Sequence, residues 1–205
     1  MSMSTTTNLR PPTENQLSAS LPGPIVYLTG HDPSSGDAIV HSRRPAKWTR
    51  HDGDQLNMSV AYTTSRFPAD LNGDADVAEH DARVAGLGLV SRGGTVLRIV
   101  DFAPGYECMM HRTQSVDFGI VVEGEITSVL GNGEGRATGE EEVLRRGDIM
   151  VQRATMHAWR NDSRTEWARM VFCLQDCAPL VVAGKRMGED LGRGTDGVPP
   201  SGNDG

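Results

Sequence analysis

The fold of this chain can be inferred from one stretch, GYECMMHRTQSVDFGIVVEG, residues 105–124. His111 lies at the head of a valine-rich run, and Thr113 and Asp117 follow it closely. Successive side chains of a strand point to opposite faces, so an extended MMHRT places Met109, His111 and Thr113 on the same face. Asp117 has the same parity. The stretch therefore predicts a strand that presents an imidazole, a hydroxyl and a carboxylate to one side.

A second stretch, RRGDIMVQRATMHAWRN at residues 145–161, contains His157 with Trp159 on the same face. Arg112 and Arg160 each neighbour one of the two histidines, so both arginines are predicted to face away from the interior. A one-residue slip would bury both unpaired charges, which is costly. Two imidazoles and a carboxylate that meet inside a barrel form the ligand set of a facial triad on a non-haem metal.

The sequence pattern between the two polar ends of the chain predicts β structure almost throughout. Short segments rich in β-branched and aromatic residues are separated by Gly, Pro, Asp or Asn, which is typical of a sandwich or barrel. Residues 125–144 indicate a hairpin, and residues 74–85 indicate a single short helix. No internal repeat is visible, so one barrel is predicted.

The two stretches resemble the motifs of the cupin superfamily. The first family motif reads Gly, five residues, His-x-His, three or four residues, Glu, six residues, Gly. The chain gives Gly105, YECMM, His111-Arg112-Thr113, QSV, Asp117, FGIVVE and Gly124. The second motif, which ends in Pro-x-Gly-x-x-His-x-x-x-Asn, corresponds to Gly147 followed by residues 152–161, with His157 in place. The residues in and around the two motifs are similar to those of small single-domain cupins from fungal secondary-metabolite clusters, which are often labelled oxidoreductases.

The resemblance implies an all-β fold, a single cupin double-stranded β-helix (jelly-roll barrel) with extra N-terminal strands. It also implies an active site in which His111, Asp117 and His157 are catalytic and hold a divalent metal, with Fe(II) favoured and zinc or no metal as alternatives. Met109, Thr113 and Trp159 are predicted to line the substrate pocket.

Several positions depart from the family pattern. Thr113 replaces the second histidine and Asp117 replaces the glutamate, while Gln152 and Ala154 replace the Pro and Gly of the second motif. A neutral hydroxyl is a weak ligand beside imidazole or carboxylate, so metal affinity is expected to fall. Asp117 has two readings: a ligand or acid/base group, and a carboxylate that orients a histidine or caps a turn.

Three functions remain open at this point. The first is a tailoring oxidoreductase that acts on a small apolar or aromatic, polyketide-like intermediate. The second is a metal-free or zinc-assisted lyase or isomerase, such as a dehydratase or decarboxylase, in which the imidazoles and Asp117 exchange protons. The third is a small-ligand-binding cupin without turnover.

The composition and net charge of the chain limit the classes of partner that it is expected to bind. A formal charge of −7 argues against nucleic acid, and no apolar run reaches the roughly 20 residues that span a bilayer. Neither an export signal nor paired cysteine spacing is visible, so a cytoplasmic protein with reduced thiols is expected. His31, His41, His51 and His80 are predicted to be surface or loop residues. A homodimer is expected, because small cupins are usually dimers.

The chain divides into four predicted segments. Polar, Gly- and Pro-rich composition predicts disordered tails at residues 1–24 and 183–205. Residues 25–94 are predicted to be a β extension that packs on the barrel, and residues 95–182 the cupin barrel itself.

Overall fold

The computed structural model describes residues 10–132 and 134–203; residues 1–9 and 204–205 of the two predicted tails lie outside this range. Thirteen strands and one α-helix are formed within the described residues. The strands are β1 (Ile25–His31), β2 (Ala38–Pro45), β3 (Thr49–His51), β4 (Leu56–Thr63), β5 (Thr95–Phe102), β6 (Ser115–Glu123), β7 (Glu125–Gly131), β8 (Ala137–Arg145), β9 (Ile149–Arg153), β10 (His157–Arg160), β11 (Ala168–Asp176), β12 (Val181–Val182) and β13 (Lys185–Arg186).

Two antiparallel sheets enclose the core and form the jelly roll. The larger sheet has the strand order β3-β4-β5-β11-β6-β9, and the smaller has the order β10-β7-β8. Strands β1 and β2 form a separate two-stranded sheet, and β7 and β8 form the predicted hairpin. The helix α1 (Ala75–Arg83) confirms the predicted helix, and a short 3-10 turn, Asn72–Asp74, precedes it.

The core lies between the two sheets, as the alternation of side chains predicts. On β5 and β11 most inward positions carry large apolar side chains, β6 contributes Val121 beside smaller or polar residues, and the smaller sheet contributes other apolar side chains from the opposite side. Fully or nearly fully buried examples are Val96, Phe102, Val121, Ile126, Trp159 and Met170. Burial of this apolar surface is the main favourable term in folding.

Gly124 closes the tight connection between β6 and β7. Its φ is +75°, in the left-handed region that glycine adopts readily. A Cβ at this position would lie 3.1 Å from the Cβ of Ala168. The other two motif glycines, Gly105 and Gly147, also have positive φ.

The outer face of the larger sheet carries a buried ion pair. Arg169 on β11 lies opposite Asp101 on β5, and its Nε donates to Asp101 Oδ1 at 2.5 Å. Trp48 stacks over the guanidinium at 5.3 Å. The hydroxyl of Ser18 also donates to Asp101. N-terminal residues therefore take part in covering this pair.

Residues 10–24 were predicted as part of a disordered tail, yet here they lie against the sheet. The amide of Leu17 donates to Asn57 Oδ1 at 2.9 Å, and Thr13 accepts from the Trp48 indole at 2.7 Å. Polar composition did not reveal these contacts, because specific buried partners on the sheet stabilise the segment in place of apolar side chains of its own.

The C-terminal segment, residues 187–203, also packs on the barrel where a disordered tail was predicted. Arg112 Nε donates to the carbonyl of Gly188 at 2.7 Å. The side chain of Gln114 donates to the carbonyl of Asn203 at 2.8 Å. Leu191 and Val198 pack against the core. This segment closes one end of the barrel.

The predicted boundary between residues 94 and 95 is crossed by the larger sheet, because β4 pairs with β5 along most of its length. The surface prediction for the N-terminal histidines is wrong for two of them. His51 and His80 are buried, each about 5% exposed. His51 Nδ1 contacts the carbonyl of Asp196, and the ring of His80 stacks on Tyr62 at 4.8 Å.

The three cysteines are free thiols. The described part of the chain contains no helix with the length and apolar character that a membrane crossing requires.

Candidate active site

A cavity between the two sheets contains both motif histidines. Its empty volume is about 520 Å³, part of which opens to solvent. Most of the wall is apolar, and a few polar side chains converge on it, an arrangement typical of small-molecule sites. The lining consists of Leu56, Met58, Leu89, Arg98, Val100, Phe102, Cys108, Met109, His111, Asp117, His157, Trp159, Phe172, Leu174 and Thr195.

His111 and His157 meet through their backbones. The two residues form an antiparallel bridge, in which each amide donates to the carbonyl of the other at 2.8 Å. Non-neighbouring residues that pair in this way have side chains on the same face. The two ring centroids are consequently 4.4 Å apart.

The orientation of both imidazoles is fixed by main-chain carbonyls. Nδ1 of His111 is 2.9 Å from the carbonyl of Met109, and Nδ1 of His157 is 2.9 Å from the carbonyl of Thr155. A carbonyl accepts only, so each Nδ1 carries the proton and each Nε2 keeps its lone pair. Nε2 has no protein partner in the described part of the chain for either ring.

Both imidazoles are neutral at physiological pH. Burial, together with the neighbouring His111, lowers the pKa of His157 to about 3. Burial also lowers the pKa of His111, and the positive charge of Arg98 acts in the same direction. The cavity therefore presents two uncharged nitrogen acceptors that can bind a proton, a hydroxyl or a metal ion.

Asp117 projects into the cavity from β6 and is held by hydroxyl groups. Ser115 donates to Oδ1 at 2.5 Å and Thr113 donates to Oδ2 at 2.9 Å. Burial raises the pKa of Asp117 to about 6, although these hydrogen bonds and Arg98 oppose the increase. Thr113 thus orients the carboxylate, and Asp117 can exchange a proton near neutral pH.

The two imidazoles are arranged as metal ligands, whereas Asp117 is less suited to be the third. A lone pair on Nε2, with Nδ1 anchored to a carbonyl, is the usual arrangement of metal-binding histidines. Both oxygens of Asp117, in contrast, accept hydrogen bonds from hydroxyls. Across residues 10–132 and 134–203, no group of three or more His, Cys, Asp and Glu side chains is arranged to hold a metal ion.

Of the three predicted pocket residues, Met109 and Trp159 line the cavity, whereas Thr113 is not among the lining residues. Met109 and Trp159 are both nearly fully buried. The indole of Trp159 meets the edge of His157 at 5.4 Å and also contacts Phe172. These contacts restrict the rotation of His157.

The two arginines that neighbour the histidines lie outside the cavity lining, as predicted. Arg160 pairs with Glu141 at 2.7 Å and with Asp162 at 2.6 Å. Arg112 is directed toward the C-terminal segment and donates to the carbonyl of Gly188. The strand register inferred from sequence is therefore correct at both histidines.

The second motif keeps its shape despite its substitutions. Ala154 occupies the position of the family's glycine and has φ of +51°, so the left-handed turn is formed without glycine. Asn161 donates to the carbonyls of Phe102 and Glu166 at 3.1 and 2.8 Å. These hydrogen bonds satisfy main-chain carbonyl groups.

Besides apolar wall residues, the sequence analysis missed two polar residues of the cavity, Arg98 and Thr195. Arg98 on β5 is in phase with the inward residues Val96, Val100 and Phe102, so alternation along TVLRIVDF was a signal that could have revealed it. Thr195 belongs to the C-terminal segment, and no sequence pattern places it at the cavity.

Comparison with known proteins gives several similar chains. No protein-family model matches. The chain is 40% identical over 192 residues to phomopsin biosynthesis cluster protein D of Diaporthe leptostromiformis, a match that covers 93% of this chain and 98% of that protein. It is 39% identical over 183 residues to cupin-domain-containing oxidoreductase fogC of Aspergillus ruber, covering 88% and 86%. A solved structure of oxalate oxidase matches with a TM-score of 0.34 and 29% identity, over 40% of this chain and 42% of that one.

Proposed function

The chain belongs to the cupin-domain-containing oxidoreductases found in fungal biosynthesis clusters, and we propose that it oxidises a small apolar or aromatic, polyketide-like intermediate in the cavity that contains His111 and His157. Its relatives support a tailoring role in secondary metabolism. The observation that carries the proposal is the pair of neutral imidazoles, each with a free Nε2, on a largely apolar cavity.

His111 and His157 are the proposed catalytic pair. Their Nε2 atoms are fixed in position, so their lone pairs can hold a metal ion, while a site without metal would use the same lone pairs to accept a hydrogen bond from a substrate hydroxyl. Burial holds the rings neutral, which keeps this acceptor capacity at physiological pH. Trp159 and Met109 would exclude water from the reacting atoms and hold the apolar body of the substrate.

Asp117 has the proposed role of a proton donor and acceptor. Its pKa of about 6 allows both protonation states near neutrality. Thr113 and Ser115 hold the carboxylate in one orientation, which favours proton exchange over metal binding. The predicted role as third metal ligand would require Asp117 to give up one of these hydrogen bonds.

We further propose that His111 and His157 hold a divalent metal through Nε2, with Fe(II) favoured over zinc. Two imidazoles suit first-row divalent metals. Such a metal would supply redox chemistry, with dioxygen as the oxidant. The substrate would be bound and oriented by the cavity walls.

A lyase or isomerase is the second candidate, and one observation favours it. Neutral imidazoles and a proton-exchanging carboxylate line one cavity, while Asp117 is engaged by hydroxyls. General acid/base groups alone can catalyse dehydration, decarboxylation or isomerisation. Binding without turnover is the third candidate, and it requires none of these proton-exchanging groups.

The experiment that tests the proposal combines metal analysis with metabolite profiling. The purified protein is analysed for metal content, and turnover of the intermediate that accumulates in a deletion strain is measured before and after chelation. Stoichiometric iron, an oxidised product and loss of turnover on chelation support the oxidoreductase. Full turnover with metal far below one equivalent and no net oxidation would establish the lyase or isomerase, and no turnover with retained binding would leave the third candidate.

We propose a cytoplasmic homodimer, with the small molecule as its partner and neither nucleic acid nor membrane. The sheet of β1 and β2 exposes Tyr27, Ile39 and Val40, and exposed apolar clusters commonly mark interfaces. Light scattering coupled to size exclusion tests the dimer, and a monomer at micromolar concentration would contradict it.

A further inference from the structure

Two residues that line the cavity each have a buried polar atom without a partner in the described part of the chain. Arg98 Nε and Thr195 Oγ1 are both buried and make no hydrogen bond. The two residues are 5% and 7% exposed, and both line the cavity of the histidine pair. Buried donors are almost always satisfied, so two unsatisfied donors on one cavity indicate a ligand that satisfies them.

The guanidinium of Arg98 is fixed by neutral acceptors. Its Nη2 donates to the carbonyls of Gly88 and Leu89 at 2.7 and 3.1 Å, and Nη1 contacts Met58 Sδ at 3.4 Å. No carboxylate of the described residues forms an ion pair with Arg98 within 4.0 Å. The side chain is therefore held in place while its charge has no adjacent counterion.

Other cavity groups do not compensate for this charge directly. Asp117 is held by the hydroxyls of Thr113 and Ser115 and acts on Arg98 only from beyond ion-pair distance. Buried charges are normally paired. A negatively charged ligand group in the cavity would therefore be stabilised by Arg98.

We propose that Arg98 and Thr195 bind an anionic oxygen group of the substrate, a carboxylate or a phenolate, while the apolar walls hold the rest of the molecule. Arginine and hydroxyl donors both suit an anionic oxygen, and charge-assisted hydrogen bonds of this kind are the strong ones. Asp117 on the same cavity disfavours a second negative charge, so the substrate is a monoanion. This inference rests on the proposed function, because it takes the same cavity as the substrate site.

The test measures the binding of two probes of equal shape and different charge. Benzoate and benzamide are titrated calorimetrically into the full-length protein, with and without added metal. The variants are Arg98→Gln, Arg98→Lys and Thr195→Val. Arg153→Gln removes an exposed arginine, and Thr63→Val removes a buried hydroxyl outside the cavity; both are controls.

Wild type is expected to bind benzoate about tenfold or more tightly than benzamide, which is the typical effect of a hydrogen bond to a charged group. Thr195→Val and Arg98→Gln should each weaken benzoate binding about tenfold or more and leave benzamide binding nearly unchanged. Arg98→Lys should restore part of the preference, and the controls should retain it.

Equal affinity for the two probes in the wild type would overturn the proposal. So would a loss of both probes in equal proportion in Thr195→Val, which removes no charge and keeps the shape of the side chain. These outcomes differ from failure of the proposed function. A protein without oxidative turnover that still prefers benzoate through Arg98 and Thr195 would retain this site and lose only the oxidoreductase assignment.

Discussion

The main-chain amides of His111 and His157 donate to one another's carbonyls at 2.8 Å, and this bridge holds the two imidazole rings 4.4 Å apart. The residues are far apart in sequence and come from opposite ends of the motif region. Their side chains face one cavity because the bridge joins the segment before β6 to β10. The distance between the rings is therefore fixed by the backbone, and side-chain packing by Trp159 adds to it.

Replacement of His157 tests the proposed catalytic pair. His157→Ala removes one Nε2 acceptor and keeps the backbone bridge, so kcat/KM is expected to fall by about 100-fold or more. Steady-state kinetics with the accumulated intermediate measures the change. His31→Ala, an exposed histidine at the end of β1, is the matched control and should retain full activity. Undiminished turnover in His157→Ala would remove this residue from the mechanism.

His80 predicts part of the acid sensitivity of the fold. Burial lowers its pKa below the ordinary value of 6.5, and Arg44 acts in the same direction while Asp81 opposes it. The unfolded chain thus binds a proton that the folded chain does not, so His80 favours folding above about pH 6.5 and this contribution is lost as the pH falls below that value. His80→Gln should lose less unfolding free energy than wild type between pH 7.5 and 5.5.

Denaturant unfolding at both pH values measures this difference. His31→Gln changes an exposed histidine and should show the wild-type pH dependence. An identical pH slope for His80→Gln and wild type would show that His80 is protonated equally in both states.

The buried pair of Arg169 and Asp101 predicts a large effect on stability. Arg169→Met leaves Asp101 as an unpaired charge in a site that is 0% exposed, so the free energy of unfolding should fall by about 3–5 kcal/mol. Arg50→Met breaks the exposed pair of Arg50 and Asp54 and should cost less than about 1 kcal/mol. Chemical denaturation compares the two, and equal losses would show that burial of the pair is unimportant.

Gly124 and Gly135 form a matched pair for testing a close contact. Both have φ near +75°, but a Cβ at Gly124 would approach Ala168, whereas a Cβ at Gly135 meets nothing within 4 Å. An alanine at φ above zero costs about 1–2 kcal/mol by itself. Gly124→Ala is therefore expected to lower the unfolding free energy by more than Gly135→Ala. Thermal unfolding measures both variants. Equal losses of unfolding free energy would show that the contact with Ala168 does not affect stability.

The fold and the histidine pair could be predicted because both depend on local patterns. Alternation of side chains located the strands and set the faces of His111 and His157, and the resemblance to known motifs indicated that these strands come together. The inward orientation of Trp159 and the outward orientation of Arg160 followed from the same parity. These features need only the period of a strand.

The surroundings of the site could not be predicted in the same way. The hydroxyl partners of Asp117 depend on how the chain turns between Thr113 and Ser115. Thr195 reaches the cavity through tertiary packing of a polar segment that has no strand or helix period. Arg98 was detectable in principle, but its burial depends on the carbonyls of Gly88 and Leu89, which no sequence pattern places beside it.

The position of Thr195 has a consequence for how the protein matures. Every strand that surrounds the cavity precedes residues 187–203 in the chain, so this segment is translated last. Domains generally fold as units during synthesis, with N-terminal parts first. Both imidazoles and every strand of the barrel therefore precede Thr195 in synthesis, and the cavity gains this wall residue only when the C-terminal segment packs against the barrel.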